Sequence, residues 1–363
     1  MSVSTQYLDF IREHQQTPVL SVYLEGGLTD PAAMRAWLVM LRESVATERH
    51  RIAELPASER AQFDEAVGRM YEALPSHEVV HGAGAWCYLG AANGDALSTL
   101  LAMPVTTSVT WQAGVVILPF LAAQRSDRVF VLQIDHESMH LHQCVNGELQ
   151  TLEELEATIG VGAGDHMGDA PGVGYHSGTR GSTLTDQLQR RKSDARSRMA
   201  GAAHQRITTL MQTPSLMVIG GANDVVTHFV AELPDALGDR VIVAEDLRMH
   251  TPPSEIVQLT REATEELLAE RQVRWFAQLR EQAYVDQHAA LGPRAAQRAT
   301  TAGAVEQLML TEHYRRAHVI DAETMAVETL LHGGTVTLAS SAVADEMDRD
   351  AGGVAARLRY ALP

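Results

Sequence analysis

A group of histidine and glutamate residues near the middle of the chain has the spacing of a metal-binding motif. His136, Glu137 and His140 match the pattern HExxH, in which two imidazoles bind zinc and the glutamate acts as a base. That chemistry needs a helix, where residues four apart lie about 6 Å from each other, whereas a strand separates them by roughly 13 Å. The flanking residues 128–135 (RVFVLQID) and 141–147 (LHQCVNG) favour extended structure, so the motif is predicted to span a strand end and a turn.

His136 and His140 therefore stay candidates for a metal-dependent hydrolase, although no bound metal and no cofactor are expected. His140 and His142 are two apart and would share one face of a strand. A half-buried or surface pair of histidines is the expected outcome there.

Residues 160–181 contain eight glycines among twenty-two positions and show no apolar periodicity, which predicts a long loop. A dinucleotide-binding motif requires a strand directly before its glycines, but a helix is predicted over residues 152–157. A phosphate-binding P-loop requires Gly-Lys-Ser/Thr, and the single lysine of the chain, Lys192, follows an arginine instead. The loop also lacks the GxSxG turn of serine hydrolases. None of these three patterns fits the loop.

Basic residues are concentrated just after this loop, on a helix predicted over residues 183–211. Between Arg180 and Arg206 there are seven basic residues against two acidic ones, although the whole chain has 46 acidic and 29 basic residues and a net charge of −17. Glycines allow a close approach and arginines bind phosphates through two nitrogens, so the segment suits a phosphate backbone. The alternative is a solvated basic face paired with acidic neighbours. The candidate RNA-binding residues are Arg180, Arg190, Arg191, Lys192, Arg196 and Arg198.

The elements that would position these residues predict an α/β protein with three domains. We expect an N-terminal α/β domain over residues 1–122, a central domain with the glycine-rich loop over 123–253, and a C-terminal α/β domain over 254–363. Strands alternate with helices in the central domain, which predicts a mostly parallel sheet. Further elements predicted from local patterns are strands over 115–119 and 317–320 and helices over 152–157 and 299–310.

Composition narrows the expected partners and location. The negative charge disfavours a surface that binds nucleic acid as a whole, so RNA contacts must be local and DNA is not an expected partner. No apolar stretch reaches eighteen residues and residues 1–10 lack a signal-peptide pattern, so no membrane association and a cytoplasmic location are expected. Cys87 and Cys144 lie far apart in sequence and are expected to be small core residues.

Several short motifs along the chain occur together in a recognisable order. They are residues 20–24 (LSVYL), 128–135 (RVFVLQID), the junction of the glycine-rich loop and the basic helix, 216–221 (LMVIGG) and 352–360 (GGVAARLRY). In this combination the chain resembles the bacterial relatives of the archaeo-eukaryotic class-1 release factors and Pelota. The resemblance implies a divergent N-terminal domain, a central ribonuclease-H-like domain without nuclease activity and a C-terminal Pelota-like α/β sandwich. It also implies binding to ribosomal RNA in the A site of the ribosome, with tRNA and a translational GTPase left open as further partners.

The chain departs from this family in the loop that performs peptide release. Release-competent members present Gly-Gly-Gln there, and this sequence contains no Gly-Gly-Gln. The nearest residues are Gly181 at the end of the loop and Gln187, which is expected on the helix. The resemblance therefore favours a ribosome-associated protein of rescue, hibernation or stress that does not release peptide. A peptidyl-tRNA hydrolase that uses Gly181 or Gln187, the metal-dependent hydrolase and an acidic protein-binding adaptor stay open as alternatives.

Overall fold

A computed structural model of the chain describes residues 5–26, 31–101, 103–123, 128–145, 148–157, 184–212, 215–285 and 288–362. The chain divides into two compact units. The first comprises Met1–Ser126 and Leu268–Pro363, and the second comprises Asp127–Leu267. Among the described residues, no helix combines the length and the apolar composition that a membrane crossing requires.

Helices and strands alternate through both units, which confirms the predicted α/β class. The helices are α1 (Thr5–Glu13), α2 (Pro31–Arg51), α3 (Ala57–Ala73), α4 (His77–Gly82), α5 (Leu118–Ala123), α6 (Leu184–Leu210), α7 (Asn223–Ala231), α8 (Pro253–Val285), α9 (Pro293–Thr301), α10 (Glu312–Ala317), α11 (Val319–Leu331) and α12 (Ser341–Ala351). The strands are β1 (Pro18–Glu25), β2 (Ala85–Ala91), β3 (Ala96–Leu101), β4 (Ser108–Ala113), β5 (Arg128–Ile134), β6 (Ser138–Val145), β7 (Glu148–Glu156), β8 (Ser215–Gly221), β9 (Val241–Val243), β10 (Ala289–Leu291), β11 (Val305–Leu310), β12 (Thr335–Leu338) and β13 (Val354–Leu358).

The first unit contains two four-stranded sheets. One has the order β3-β2-β1-β4 and is antiparallel throughout, and the other has the order β10-β13-β11-β12. Strand β1 is apolar along most of its length because both of its faces are covered. Leu20 and Val22 pack in one core cluster, whereas Val19 and Tyr23 pack in another that also contains residues of the C-terminal half.

The second unit is built on a five-stranded sheet with the order β7-β6-β5-β8-β9. Strand β8 pairs in parallel with both β5 and β9, whereas β6 pairs antiparallel with both β5 and β7. The predicted mostly parallel sheet is therefore wrong, since half of the pairings are antiparallel. The difference arises at residues 138–156, which form the two strands β6 and β7. Both are joined to the sheet by antiparallel pairing.

The helix predicted over residues 152–157 is wrong, because these residues belong to strand β7 and its end. The pairing of β6 with β7 shifts between Leu141 and His142, which leaves Leu152 as an extra residue on β7. Leu152 and Leu155 both pack against the core of the second unit. Their spacing of three imitates a helical pattern, and the abundant glutamates also favour a helix in isolation.

Three other local predictions are also wrong. Residues 115–119 lead into α5, with Pro119 at its second position, where a missing N–H costs little. The helix predicted over 299–310 divides at Gly303, whose φ of 66° ends α9, and the rest is the inner strand β11. Residues 317–320 end α10 and begin α11, although the branched side chains of Val319 and Ile320 favour a strand.

The boundaries of three domains stay a prediction. The two cysteines form no disulfide; Cys87 is fully buried and Cys144 is half-buried. Burial raises the pKa of the Cys87 thiol to about 12, so this residue is an inert part of the core.

A buried carboxylate joins two distant segments of the first unit. Glu323 of α11 is only 6% exposed. It accepts hydrogen bonds from the backbone N–H of Ile117 at 2.7 Å and of Leu118 at 3.1 Å. These donors lie at the start of α5, where a helix offers no backbone acceptor of its own. Burial raises the pKa of Glu323 to about 7, although the two N–H donors and the charge of Arg315 act in the opposite direction.

The raised pKa of Glu323 predicts a specific pH dependence of stability. Because this pKa of about 7 lies above the usual 4.5, protonated Glu323 contributes stability below about pH 4.5 that is lost as the pH rises through 7. We expect Glu323→Gln to raise the free energy of unfolding at pH 8 by roughly 3 kcal/mol and to change it little at pH 5. Glu323→Ala should be less stable than Glu323→Gln at both pH values, since two buried N–H groups lose their acceptor. Denaturant unfolding at pH 5 and pH 8 measures this, and equal effects of the Gln variant at the two values would contradict it.

Candidate nucleic-acid interface

The orientation of the basic helix α6 is set by an apolar stripe. Ala195, Met199, Ala203 and Ile207 recur every four residues, which places them on one face, and all four are buried. The last three pack in the core of the second unit together with β5 residues such as Leu132. The opposite face of α6 must therefore point to solvent.

Most of the candidate RNA-binding residues lie on the solvent side of α6. Arg190, Arg191, Arg196 and Arg198 are exposed, and Lys192 is half-buried. No carboxylate of the described residues forms an ion pair with Arg190, Arg191 or Arg198. Among the described residues, acidic neighbours therefore do not neutralise these three arginines, in contrast to the alternative stated above.

Another arginine of α6 does form an ion pair. Arg206 lies 3.2 Å from a carboxylate oxygen of Glu153 in β7, so its charge is balanced within the protein. Asp194 lies three residues after Arg191 and four before Arg198, yet it pairs with neither within the described residues. The uncompensated charge is thus concentrated toward the N-terminal half of α6.

Arg196 is fixed by a neighbouring turn rather than by a carboxylate. Its Nε donates to the backbone carbonyl of His136 at 3.0 Å. The turn is held by Asp135, whose Oδ1 accepts from the backbone N–H groups of Glu137 at 2.8 Å and Ser138 at 2.7 Å and from the Ser138 hydroxyl at 3.1 Å. Burial would raise the pKa of Asp135, but these hydrogen bonds outweigh it and lower that pKa.

The HExxH residues occupy this turn and the strand after it, as predicted. His136 and Glu137 precede β6, and His140 lies within β6. The imidazole of His136 lies 3.2 Å from a carboxylate oxygen of Asp224 at the start of α7, whereas His140 lies beside His142 with ring centroids 6.2 Å apart. The two histidines thus face different neighbours, and residues 136–140 do not form the helix that the zinc chemistry needs. The described residues contain no group of three metal-ligating side chains.

His142 belongs to a buried polar network rather than to an ion site. Its ring nitrogens lie 3.0 Å from the Gln133 side-chain oxygen and 3.1 Å from the Thr151 hydroxyl. The amide nitrogen of Gln133 donates to the carbonyl of Arg248, which fixes the orientation of the amide. Burial, and then the nearby His140, lower the pKa of His142. Because the Gln133 side-chain oxygen can only accept, the Nε2 of His142 donates to it. This network stabilises the sheet.

An open cleft of about 370 Å³ lies between the turn and α6. Its lining residues are His136, Glu137, Ser138, Glu156, Ala157, Lys192 and Arg196. The sequence predicts Lys192 and Arg196 as RNA-binding residues and keeps His136 as a candidate metal ligand, but it does not show that the three line one cleft. A signal for the cleft exists in the sequence, because ligands of open α/β sheets bind outside the carboxyl ends of the strands and the turn directly follows β5.

The remaining candidate residues fall outside this geometry. Gly181 and Arg180 lie outside the described residues. Gln187 is on α6, as expected, and its side chain also lies outside the described part.

No protein-family model matches the chain, and no curated protein matches it. The structure is similar to solved structures of Pelota and Dom34. Pelota of Archaeoglobus fulgidus is 13% identical with a TM-score of 0.37, over 77% of this chain and 80% of that chain. An archaeal Pelota bound to the ribosome with ABCE1 is 12% identical with a TM-score of 0.45, over 100% of this chain and 96% of that chain. Dom34 of S. cerevisiae is 12% identical with a TM-score of 0.41, over 77% of this chain and 81% of that chain.

The turn at Asp135 can be tested by amide hydrogen exchange. Asp135→Ala removes the acceptor of two backbone N–H groups, so we expect the amides of Glu137 and Ser138 to exchange about tenfold faster or more. Asp135→Asn keeps a side-chain oxygen and should retain most of the protection. Equal protection in the Ala variant and the native protein would show that the side chain does not hold the turn.

Proposed function

We propose that this chain is a ribosome-associated, release-factor-like protein that contacts RNA through the exposed face of α6. The observation that carries the proposal is the set of exposed arginines, Arg190, Arg191 and Arg198, which no described carboxylate neutralises. In a chain with a net charge of −17, this local cluster of positive charge is the surface of the second unit that attracts a polyanion. RNA phosphates are the partner that a local arginine cluster suits best.

The spacing of these arginines suits an extended backbone rather than a single anion. Arg191 and Arg198 are seven residues apart, which is two turns and about 10 Å along the helix axis. They lie on one side of α6 and would contact separate phosphates. Because guanidinium groups bind phosphates without reading bases, the contact is expected to depend on RNA shape and charge rather than on sequence.

The resemblance to release factors and Pelota gives this RNA contact a biological setting. We place the protein in the ribosomal A site, acting in ribosome rescue, hibernation or stress, with ribosomal RNA as the main partner. A tRNA and a translational GTPase are further proposed partners. The sequence has no Gly-Gly-Gln, so the proposed role is binding without hydrolysis of peptidyl-tRNA. We also propose that the chain has three domains, over residues 1–122, 123–253 and 254–363.

The proposal predicts that ribosome binding depends on the α6 arginines. The double variant Arg191→Glu and Arg198→Glu replaces two phosphate contacts by repulsion, so affinity for ribosomes should fall about tenfold or more. The salt dependence of binding should also weaken, with the slope of log K against log salt reduced by about 2. Co-sedimentation in sucrose gradients over a series of salt concentrations, with ribosomes from growing and starved cells, measures both.

A matched control comes from the other unit. Arg42 in α2 and Arg60 in α3 are exposed helical arginines without an ion pair in the described residues. Their double reversal to Glu changes the net charge by the same amount and should leave ribosome binding unchanged. If both double variants lost ribosome binding equally, the loss would be explained by the change in net charge and not by a contact of α6. Absence of native co-sedimentation under every condition would overturn the proposed function.

A further inference from the structure

The cleft beside α6 brings opposite charges to one small volume. Lys192 and Arg196 contribute cations from the helix, and Glu137 and Glu156 contribute carboxylates from the turn and from β7. A volume of about 370 Å³ is within the range of small-ligand sites. A ligand that suits this lining must carry an anionic group and, at a short distance from it, groups that donate hydrogen bonds.

The cationic side of the cleft is prepared for a phosphate. Arg196 is held through Nε by the carbonyl of His136, and its terminal nitrogens make no hydrogen bond within the described part of the chain. A guanidinium fixed in this way can donate two parallel hydrogen bonds without first losing much conformational freedom. Lys192 is half-buried on the same helix one turn earlier and adds a second positive charge.

The acidic side of the cleft is prepared for hydroxyl groups. The backbone of Glu137 is fixed on both sides, because its N–H donates to Asp135 at 2.8 Å and its carbonyl accepts from the N–H of Ala157 at 2.7 Å. The carboxylate of Glu137 is exposed and bonds to no described residue. An ionised carboxylate only accepts hydrogen bonds, and two adjacent ribose hydroxyls are a matching pair of donors.

From this arrangement we infer that the cleft binds the terminal ribonucleotide of an RNA chain. The terminal phosphodiester lies against Lys192 and Arg196, and the free 2′ and 3′ hydroxyls donate to Glu137. The inference rests on the proposed function, since it places one end of the RNA bound by α6. An internal nucleotide lacks the free 3′ hydroxyl and a DNA end lacks the 2′ hydroxyl, so the site would distinguish an RNA end from both.

The single lysine of the chain allows a direct test. Periodate converts the terminal ribose of a short RNA into a dialdehyde, and an amine within reach condenses with an aldehyde, with loss of one water, to an imine. Cyanoborohydride then reduces the C=N bond and makes the link permanent. The chain given by the sequence has two kinds of primary amine, the α-amino group and the single lysine, Lys192. We expect peptide mass analysis to find the RNA mainly on Lys192, and Lys192→Arg to remove that signal.

Competition by unmodified ends tests the role of Glu137. An RNA with free 2′ and 3′ hydroxyls should compete against the labelling about tenfold better than the same RNA with a 3′ deoxy end, because a hydrogen bond to a charged group is lost. In Glu137→Gln this preference should fall to about twofold or less. Adenosine monophosphate supplies the same phosphate and hydroxyls without a chain, and it should compete much more weakly than the RNA.

The outcomes separate this inference from the proposed function. Labelling confined to the α-amino group, with RNA binding that still depends on Arg191 and Arg198, would overturn the end site and leave the RNA interface intact. Equal competition by adenosine monophosphate would overturn the RNA end in favour of a free nucleotide. No RNA binding at all would overturn both proposals.

Discussion

The apolar stripe of α6 on the central sheet determines where the positive charge of the second unit lies. Met199, Ala203 and Ile207 are buried against that sheet, so a rotation of the helix would expose them and bury arginines at a cost of several kcal/mol. The free face of α6 is therefore a consequence of core packing. The turn at Asp135 adds the second element, because it presents the carbonyl that holds Arg196 at the edge of the same face.

The elements that sequence predicts well are those whose local pattern agrees with their packing. Helix α6 agrees with the helix predicted over residues 183–211, and its buried residues recur every four positions, a pattern that matches a single structure. Strand β7 was missed because its bulge at Leu152 places apolar residues three apart on one face of a sheet. Strand β11 was missed because it is an inner strand between β12 and β13, so its apolar residues do not alternate.

The basic helix can be identified from sequence, whereas for the cleft the sequence indicates only a place after β5 and not the residues that line it. Seven basic residues within a short segment of an acidic chain are visible without coordinates. Whether they are neutralised depends on neighbours such as Glu153, which pairs with Arg206, whereas Arg191 and Arg198 have no carboxylate partner among the residues that the structure describes. The cleft is lined by the turn after β5, the end of β7 and the middle of α6, which are far apart in sequence. The HExxH residues are correctly predicted to span a turn and a strand, because the residues on both sides of the motif favour extended structure.

Cryo-electron microscopy of ribosomes mixed with the protein would show directly whether α6 contacts RNA. We expect density for the protein in the A site, with the side of α6 that carries Arg191 and Arg198 against ribosomal RNA phosphates at hydrogen-bonding distance. A bound protein whose α6 faces solvent, with its RNA contacts made by another surface, would contradict it.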